Sequence, residues 1–205
     1  MSNISPVSIE TLPNQDEFAG IVGIMGFVSN SLRTMAHRPN ILKAFSALNV
    51  AIFSQSKIDL ELKYILGYVA SAVGGCRYCQ AHTSFLAKEC GVPAEKLSQA
   101  FLSEDSPNYT LAERAAIRLA MHAAMAPSAV TSDDFRNVRQ YFDDPEVVEI
   151  LCIVGLFAFL NRWNDSLATE LEGAPRQHAE QTLTQHGWQL GKHSADHTRE
   201  GGQKP

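Results

Sequence analysis

Residues 59–82 read DLELKYILGYVASAVGGCRYCQAH, and this segment carries the clearest fold signal in the chain. Apolar residues recur there at intervals of three and four, which is the period of an amphipathic helix; they are Leu62, Ile65, Leu66, Val69 and Val73. The glycine pair at 74–75 follows, and glycines are typical of helix ends. The segment therefore predicts one helix from about Asp59 to Val73 and another that opens at the cysteines.

The same helical period recurs along almost the whole chain, and sustained strand alternation is missing. Further helices are predicted from Phe18 to Met35, Ile41 to Leu48, the cysteines to about Glu89, Pro93 to Phe101, Leu111 to Met125, Ser132 to about Tyr141, and Asp144 to about Leu171. Thr110 and Glu113 have the spacing of a capping box. We therefore predict an all-α fold, a compact multi-helix bundle, with one domain over residues 1–175. Residues 176–205 form a polar C-terminal segment that ends in a loose tail.

Composition narrows the function classes. The chain has 205 residues, 45% of them hydrophobic, and a net charge of −5. It has no basic stripe, so a nucleic-acid partner is not expected. The longest apolar run, Ile150 to Leu160, is much shorter than the roughly 20 residues that span a bilayer. Residues 1–17 lack the pattern of a secretory signal. We expect a soluble, cytoplasmic protein without a membrane partner.

The segment that carries chemistry runs from Cys76 to His82. Cys76 and Cys79 are three residues apart and His82 is three further on, so all three share one helix face. Thiols in the first turns of a helix are favoured as thiolates by the helix dipole, and Arg77 adds a positive charge. His82, one turn beyond Cys79, is placed to take the proton of that thiol, so we expect Cys79 to have the lower pKa of the two cysteines. The pattern gives a nucleophile, a base and a second thiol able to close a disulfide.

Other interpretations of the cysteine pair were weighed against a redox role. One alternative is a purely structural cysteine pair, and another is a zinc site with His82 as third ligand, although a second ligand pair is missing. Covalent haem attachment requires histidine directly after the second cysteine, where this chain has Gln80. A thioredoxin fold requires βαβ units, which the sequence does not show.

These residues resemble the alkylhydroperoxidase D-like proteins of the carboxymuconolactone decarboxylase superfamily. The matching stretches are Glu61 to Lys63 and Ser71 to Thr83, with flanks at Phe27 to Pro39, Glu113 to Ala115 and Phe159 to Asp165. The flanks are similar to the longer, peroxidase-related branch. The resemblance implies an all-helical fold of the alkylhydroperoxidase D-like type, homo-oligomers, and reduction of hydroperoxides by a cysteine pair without a metal or other cofactor. It also implies that Cys79 attacks the peroxide and that Cys76 resolves the intermediate.

This sequence departs from the family pattern at two positions. Many members place the histidine four residues after the second cysteine, whereas His82 follows Cys79 by three, which keeps it on the same face. Many also carry a proton-relay glutamate where this chain has Tyr64. Glu61, one turn earlier, is the nearest candidate for that role, with a solvated helix carboxylate as the alternative.

Together the residues and the resemblance predict a thiol-dependent peroxidase with Cys79, Cys76, His82 and Glu61 as catalytic residues. Its partners are expected to be a small-molecule hydroperoxide and a thiol or dithiol reductant protein. The alternative is a non-catalytic redox sensor or binding scaffold in which the cysteine pair only switches state.

Overall fold

The computed structural model describes residues 2–12 and 25–195 of the chain, and within these residues it contains helices and no strand. The α-helices are α1 (Asn30–Met35), α2 (Pro39–Phe53), α3 (Leu60–Val73), α4 (Arg77–Glu89), α5 (Ala94–Ser98), α6 (Leu111–Ala124), α7 (Ser132–Val138), α8 (Asp144–Leu167) and α9 (Gly173–Thr182). The predicted all-α class is confirmed. Part of the first predicted helix, residues 18–24, lies outside the described residues, as do residues 196–205 of the predicted tail.

Side chains at the helix starts explain where several helices begin. The predicted capping box is present: the Thr110 hydroxyl accepts a hydrogen bond from the Glu113 N–H, and the Glu113 carboxylate accepts one from the Thr110 N–H. At the start of α3, the Asp59 carboxylate accepts a hydrogen bond from the Leu62 N–H. Each cap satisfies backbone N–H groups that have no partner inside the helix.

Helix α3 lies at the centre of the bundle and packs against α4, α6 and α8. Ten consecutive residues of α3, from Leu62 to Ser71, are buried, which explains why the sequence there is apolar on more than one side. Gly67 lies directly against the ring of Phe157 from α8, at a spacing that leaves no room for a Cβ atom. This close approach sets the position of the Phe157 ring.

Helix α8 ends at Leu167, four residues before the predicted end at about Leu171. Ala168 adopts a left-handed conformation with φ of 50°, and the following segment turns back so that the Thr169 N–H donates to the Asn164 carbonyl. The prediction was wrong because a helix end at a non-glycine residue carries no local signal. The early end places Glu172 beyond the helix, where it turns towards α4.

The C-terminal residues form a helix that the sequence analysis did not predict. Helix α9 packs against α4, with the Ser84 hydroxyl 2.7 Å from His178 Nε2. The indole N–H of Trp188 donates to the Arg77 carbonyl. These contacts tie the C-terminal segment to the helix that carries the cysteines.

The apolar run from Ile150 to Leu160 is only partly buried in the single chain. Ile150, Ile153 and Leu156 are buried, whereas Phe159 is 46% exposed and Cys152 is exposed. Within one chain the run is therefore buried on one side of α8 and exposed on another. None of the helices in the described part of the chain combines the length and the apolar character needed to cross a membrane.

Candidate functional site

The cysteine pair lies at the start of α4, as the sequence predicted. Cys76 is the N-cap residue, and its sulfur accepts a hydrogen bond from the Cys79 N–H at 3.4 Å. Both side chains are buried and both are free thiols. A sulfur at an N-cap faces the unpaired N–H groups and the positive end of the helix dipole, which favour its anionic form.

The two thiols differ in their electrostatics, and the difference is opposite to the prediction. A side-chain hydrogen bond from Cys79 and, to a smaller extent, N–H groups of the first turn lower the pKa of Cys76, although burial acts against them. Burial raises the pKa of Cys79 well above its usual value, and the hydrogen bond and charge of Cys76 raise it further. The expectation that Cys79 has the lower pKa is wrong because it considered only the nearby histidine and not the cap position.

His82 lies on the same face of α4 and forms a hydrogen-bonded pair with Glu172. Its Nε2 is 2.7 Å from Glu172 Oε2. The Tyr78 hydroxyl donates to Glu172 Oε1 at 2.9 Å, and the Asn30 N–H also donates to that oxygen. The Tyr78 ring stacks on the His82 imidazole with a centroid distance of 4.4 Å. The imidazole is therefore fixed in position by a carboxylate and an aromatic ring.

Glu172 and Tyr78 each have a defined protonation state, which burial and the neighbouring residues determine. Burial raises the pKa of Glu172, but the charge of His82 and the hydrogen bonds from His82 and Asn30 outweigh it, so the net shift is downward. Burial and the adjacent Glu172 charge raise the pKa of Tyr78 well above its usual value. Glu172 is thus an acceptor and Tyr78 a donor near neutral pH.

Glu61, the carboxylate proposed from sequence, is not placed with the other candidates. It lies near the beginning of α3, close to Gly91 and Cys90 beyond the far end of α4. Because α3 and α4 are joined by the short turn at residues 74–76, the start of α3 is next to the end of α4 and far from its cysteines. The carboxylate next to His82 is Glu172 instead.

A cavity of about 310 Å³ opens at Cys79. Its walls are formed by the polar residues Ser29, Ser31, Asn49, Ser54, Cys79, His82, Thr83 and Asn164, and by the aliphatic or aromatic residues Met25, Leu32, Phe45, Val50, Phe53, Tyr64, Tyr78, Leu86, Phe157 and Leu160. Cys79 is the cysteine of the pair that lines this cavity. A molecule in the cavity therefore meets Cys79 and His82 first, with Cys76 behind Cys79.

Asn164 of α8 completes the surroundings of Cys79. Its Nδ2 donates to the Cys79 sulfur at 3.4 Å, and this hydrogen bond lowers the pKa of Cys79 in part compensation for burial. Sequence reasoning missed both Asn164 and Glu172. The quoted stretch from Phe159 to Asp165 contains Asn164, so the resemblance pointed to this helix, whereas no local motif marks Glu172.

The described residues do not form a metal site. Within residues 2–12 and 25–195, no three side chains of His, Cys, Asp or Glu converge as ligands for a metal ion. His122 lies on α6, and its Nδ1 is 3.0 Å from Oδ2 of buried Asp134.

Residues 39–122 match the carboxymuconolactone decarboxylase family. The apo structure of the debrominase Bmp8 has a TM-score of 0.82 and 30% sequence identity, covering 87% of this chain and 97% of that protein. A variant of Bmp8 in complex with 2,3,4-tribromopyrrole has the same TM-score at 29% identity.

Two further proteins are less similar to this chain in sequence. A peroxidase-related protein from Ralstonia eutropha JMP134 with an alkylhydroperoxidase AhpD core has a TM-score of 0.73 at 20% identity, over 85% of this chain and 94% of its own, which shows a common fold. The uncharacterized protein YdfG of Bacillus subtilis (strain 168) is 26% identical over 112 residues, which cover 54% of this chain and 74% of YdfG.

Proposed function

The chain belongs to the carboxymuconolactone decarboxylase family, and from this premise we propose that it is a thiol-dependent oxidoreductase that reduces organic hydroperoxides with Cys79 and Cys76. The observation that carries the proposal is the position of the Cys79 sulfur. It lines a mainly apolar cavity, has a second thiol one turn behind it, and shares the cavity with His82, which is hydrogen-bonded to Glu172.

In the first step the Cys79 sulfur attacks the terminal oxygen of the hydroperoxide. The S–O bond forms, the O–O bond breaks, and the proton of the Cys79 thiol passes to the Cys76 sulfur, which receives it as the thiolate that the N-cap position favours. The leaving alkoxide takes a proton from the His82–Glu172 pair and departs as an alcohol. Proton transfer by a positioned group of this kind is worth about 10²–10⁴-fold in rate.

In the second step the Cys76 sulfur attacks the sulfenic acid at Cys79. The S–S bond forms, the S–O bond breaks, and the departing hydroxide leaves as water with the Cys76 proton. An external dithiol then reduces the disulfide, which returns both thiols. The order of roles is thus retained from the sequence analysis, but its basis is access to the cavity rather than a lower pKa of Cys79.

Turnover of cumene hydroperoxide in the presence of dithiothreitol tests the proposal. We expect Cys79→Ser to abolish turnover, and Cys76→Ser to permit a single oxidation that leaves a dimedone-reactive sulfenic acid at Cys79. Cys152→Ser is the matched control and should keep full activity because Cys152 is exposed on another face. A single stoichiometric oxidation of the wild-type protein would instead favour the redox sensor.

Reductive dehalogenation is the second candidate, and the 30% identity with the debrominase Bmp8 over 97% of that protein favours it. In this reaction the Cys79 sulfur would attack the halogen, the S–halogen bond would form, and the carbon–halogen bond would break, so that its electron pair stays on the carbon and is protonated there. Cys76 would then displace halide and close the disulfide. Dithiothreitol-dependent release of bromide from a brominated pyrrole, compared with peroxide consumption by the same protein, separates the two candidates.

A further inference from the structure

Two residues that line the cavity at Cys79 each carry a buried polar atom with no hydrogen-bond partner among the described residues. The atoms are Ser31 Oγ and Asn164 Oδ1, and both residues line the cavity. Ser31 is 4% exposed and Asn164 is 1% exposed. Buried polar atoms in folded proteins are nearly always paired, so an unpaired atom in a binding cavity indicates a position for a ligand atom.

The hydrogen bonds around Cys79 determine which way the Asn164 amide faces. The Cys79 sulfur accepts a hydrogen bond from the side chain of Asn164, and an amide donates only through its nitrogen. Nδ2 therefore faces Cys79 at 3.4 Å, and Oδ1 is directed elsewhere. A carbonyl oxygen only accepts hydrogen bonds, so its missing partner is an O–H or N–H donor.

The other residues that line the cavity indicate the size and the apolar character of its ligand. Most of the residues lining the cavity carry aliphatic or aromatic side chains, including Phe45, Phe53 and Phe157. The volume is about 310 Å³, which is at the lower end of the range for small-molecule sites. An engineered apolar cavity of about 150 Å³ holds one benzene molecule, so this cavity has room for one or two rings.

We propose that the cavity binds an apolar, ring-sized organic molecule that carries one O–H or N–H donor, with the donor bonded to Asn164 Oδ1 and supported by Ser31 Oγ. This inference deepens the proposed function, because it names the class of molecule presented to Cys79, and it rests on that function for the role of Cys79. The ligand is recognised by two features together, an apolar body and a single donor.

Phenol and toluene are the probes that test this inference, because they have nearly the same shape and differ in the hydroxyl. A cavity without a polar partner binds toluene better, since transferring an unpaired hydroxyl from water is unfavourable. A cavity that contains an unpaired hydrogen-bond acceptor should instead bind phenol better than toluene. We expect reduced wild-type protein to bind phenol about five- to tenfold more tightly than toluene, measured by calorimetry or ligand-observed NMR.

The order of the two probes should change in variants of the cavity. We expect Asn164→Leu, which keeps the volume, to bind toluene at least as well as phenol, and Ser31→Ala to lose part of the preference. Asn161→Leu and Ser46→Ala are the matched controls. Both remove buried polar atoms that are also without partners among the described residues, but neither residue lines the cavity. Both controls should keep the wild-type preference.

Equal binding of the two probes to the wild-type protein, binding of neither probe, or an unchanged preference in both Asn164→Leu and Ser31→Ala would overturn the inference. Peroxide turnover is measured separately on the same wild-type sample. Turnover without a phenol preference overturns the inference and leaves the proposed function intact. A phenol preference without turnover overturns the proposed function and leaves the ligand class in place.

Discussion

Replacing Glu172 with glutamine tests the arrangement that the structure places around His82. The carboxylate has a hydrogen bond with His82 at 2.7 Å, accepts one from Tyr78 at 2.9 Å, and accepts a third from the Asn30 N–H. Glutamine has the same shape but no charge. We expect it to lower peroxide turnover by about 100-fold, the lower end of the range for a positioned proton-transfer group.

The same substitution should lower stability by a measurable amount. A hydrogen bond to a charged group contributes about 1.5–3 kcal/mol and a neutral one about 0.5–1.5 kcal/mol. Three weakened bonds, offset in part by the smaller cost of burying a neutral amide, give a net loss of about 2 kcal/mol for Glu172→Gln. For a chain of this length that corresponds to a Tm lower by about 4–8 °C.

The pH dependence of this loss follows from the lowered pKa of Glu172. A carboxyl whose pKa is lower in the folded than in the unfolded protein contributes stability above its unfolded pKa, about 4.5. That contribution is lost as the pH falls through the folded pKa. The difference in Tm between wild type and Glu172→Gln should therefore shrink as the pH falls below about 4.5.

Glu61→Gln is the matched control, since it makes the same chemical change at the carboxylate chosen from sequence. Glu61 lies near Cys90 and Gly91 rather than at the cavity, so turnover should be unchanged. Loss of turnover in Glu61→Gln with normal activity in Glu172→Gln would refute the assignment and restore Glu61 as the relay residue.

Three further predictions concern packing, electrostatics and assembly. Gly67→Ala should displace the Phe157 ring into the cavity, raising KM for an organic hydroperoxide and lowering stability by about 1–3 kcal/mol in thermal unfolding; an unchanged KM would contradict this. At pH values above about 5, Asp134→Asn should lower the free energy of unfolding by about 3 kcal/mol. Burial raises the pKa of Asp134, but hydrogen bonds, the strongest from His122, outweigh burial and hold this pKa well below its usual range. Urea unfolding at a series of pH values should show that the loss shrinks below the usual pKa of 3.8. The apolar surface around exposed Phe159 favours a homo-oligomer, so light scattering should give a multiple of 22.5 kDa for the wild type and a lower mass for Phe159→Asp; a wild-type mass of a single chain would reject it.

The sequence by itself determined the helical class and the position of the thiol chemistry, because both are encoded locally. The apolar spacing from Leu62 to Val73 predicts a helix whatever surrounds it, and the spacing of Cys76, Cys79 and His82 places them on one face of the next helix. Capping at Thr110 is equally local, since cap and partner are three residues apart.

Only the tertiary structure decided which groups meet the reacting thiol. Glu172 is 90 residues from His82 along the chain, and reaches it because α8 ends early at Ala168 and the segment beyond turns back. Asn164 reaches Cys79 from α8 across a separation of 85 residues. The same holds for the acidity of the pair, because burial opposes ionisation of Cys79, and burial is set by every helix packed around a residue rather than by its neighbours in sequence.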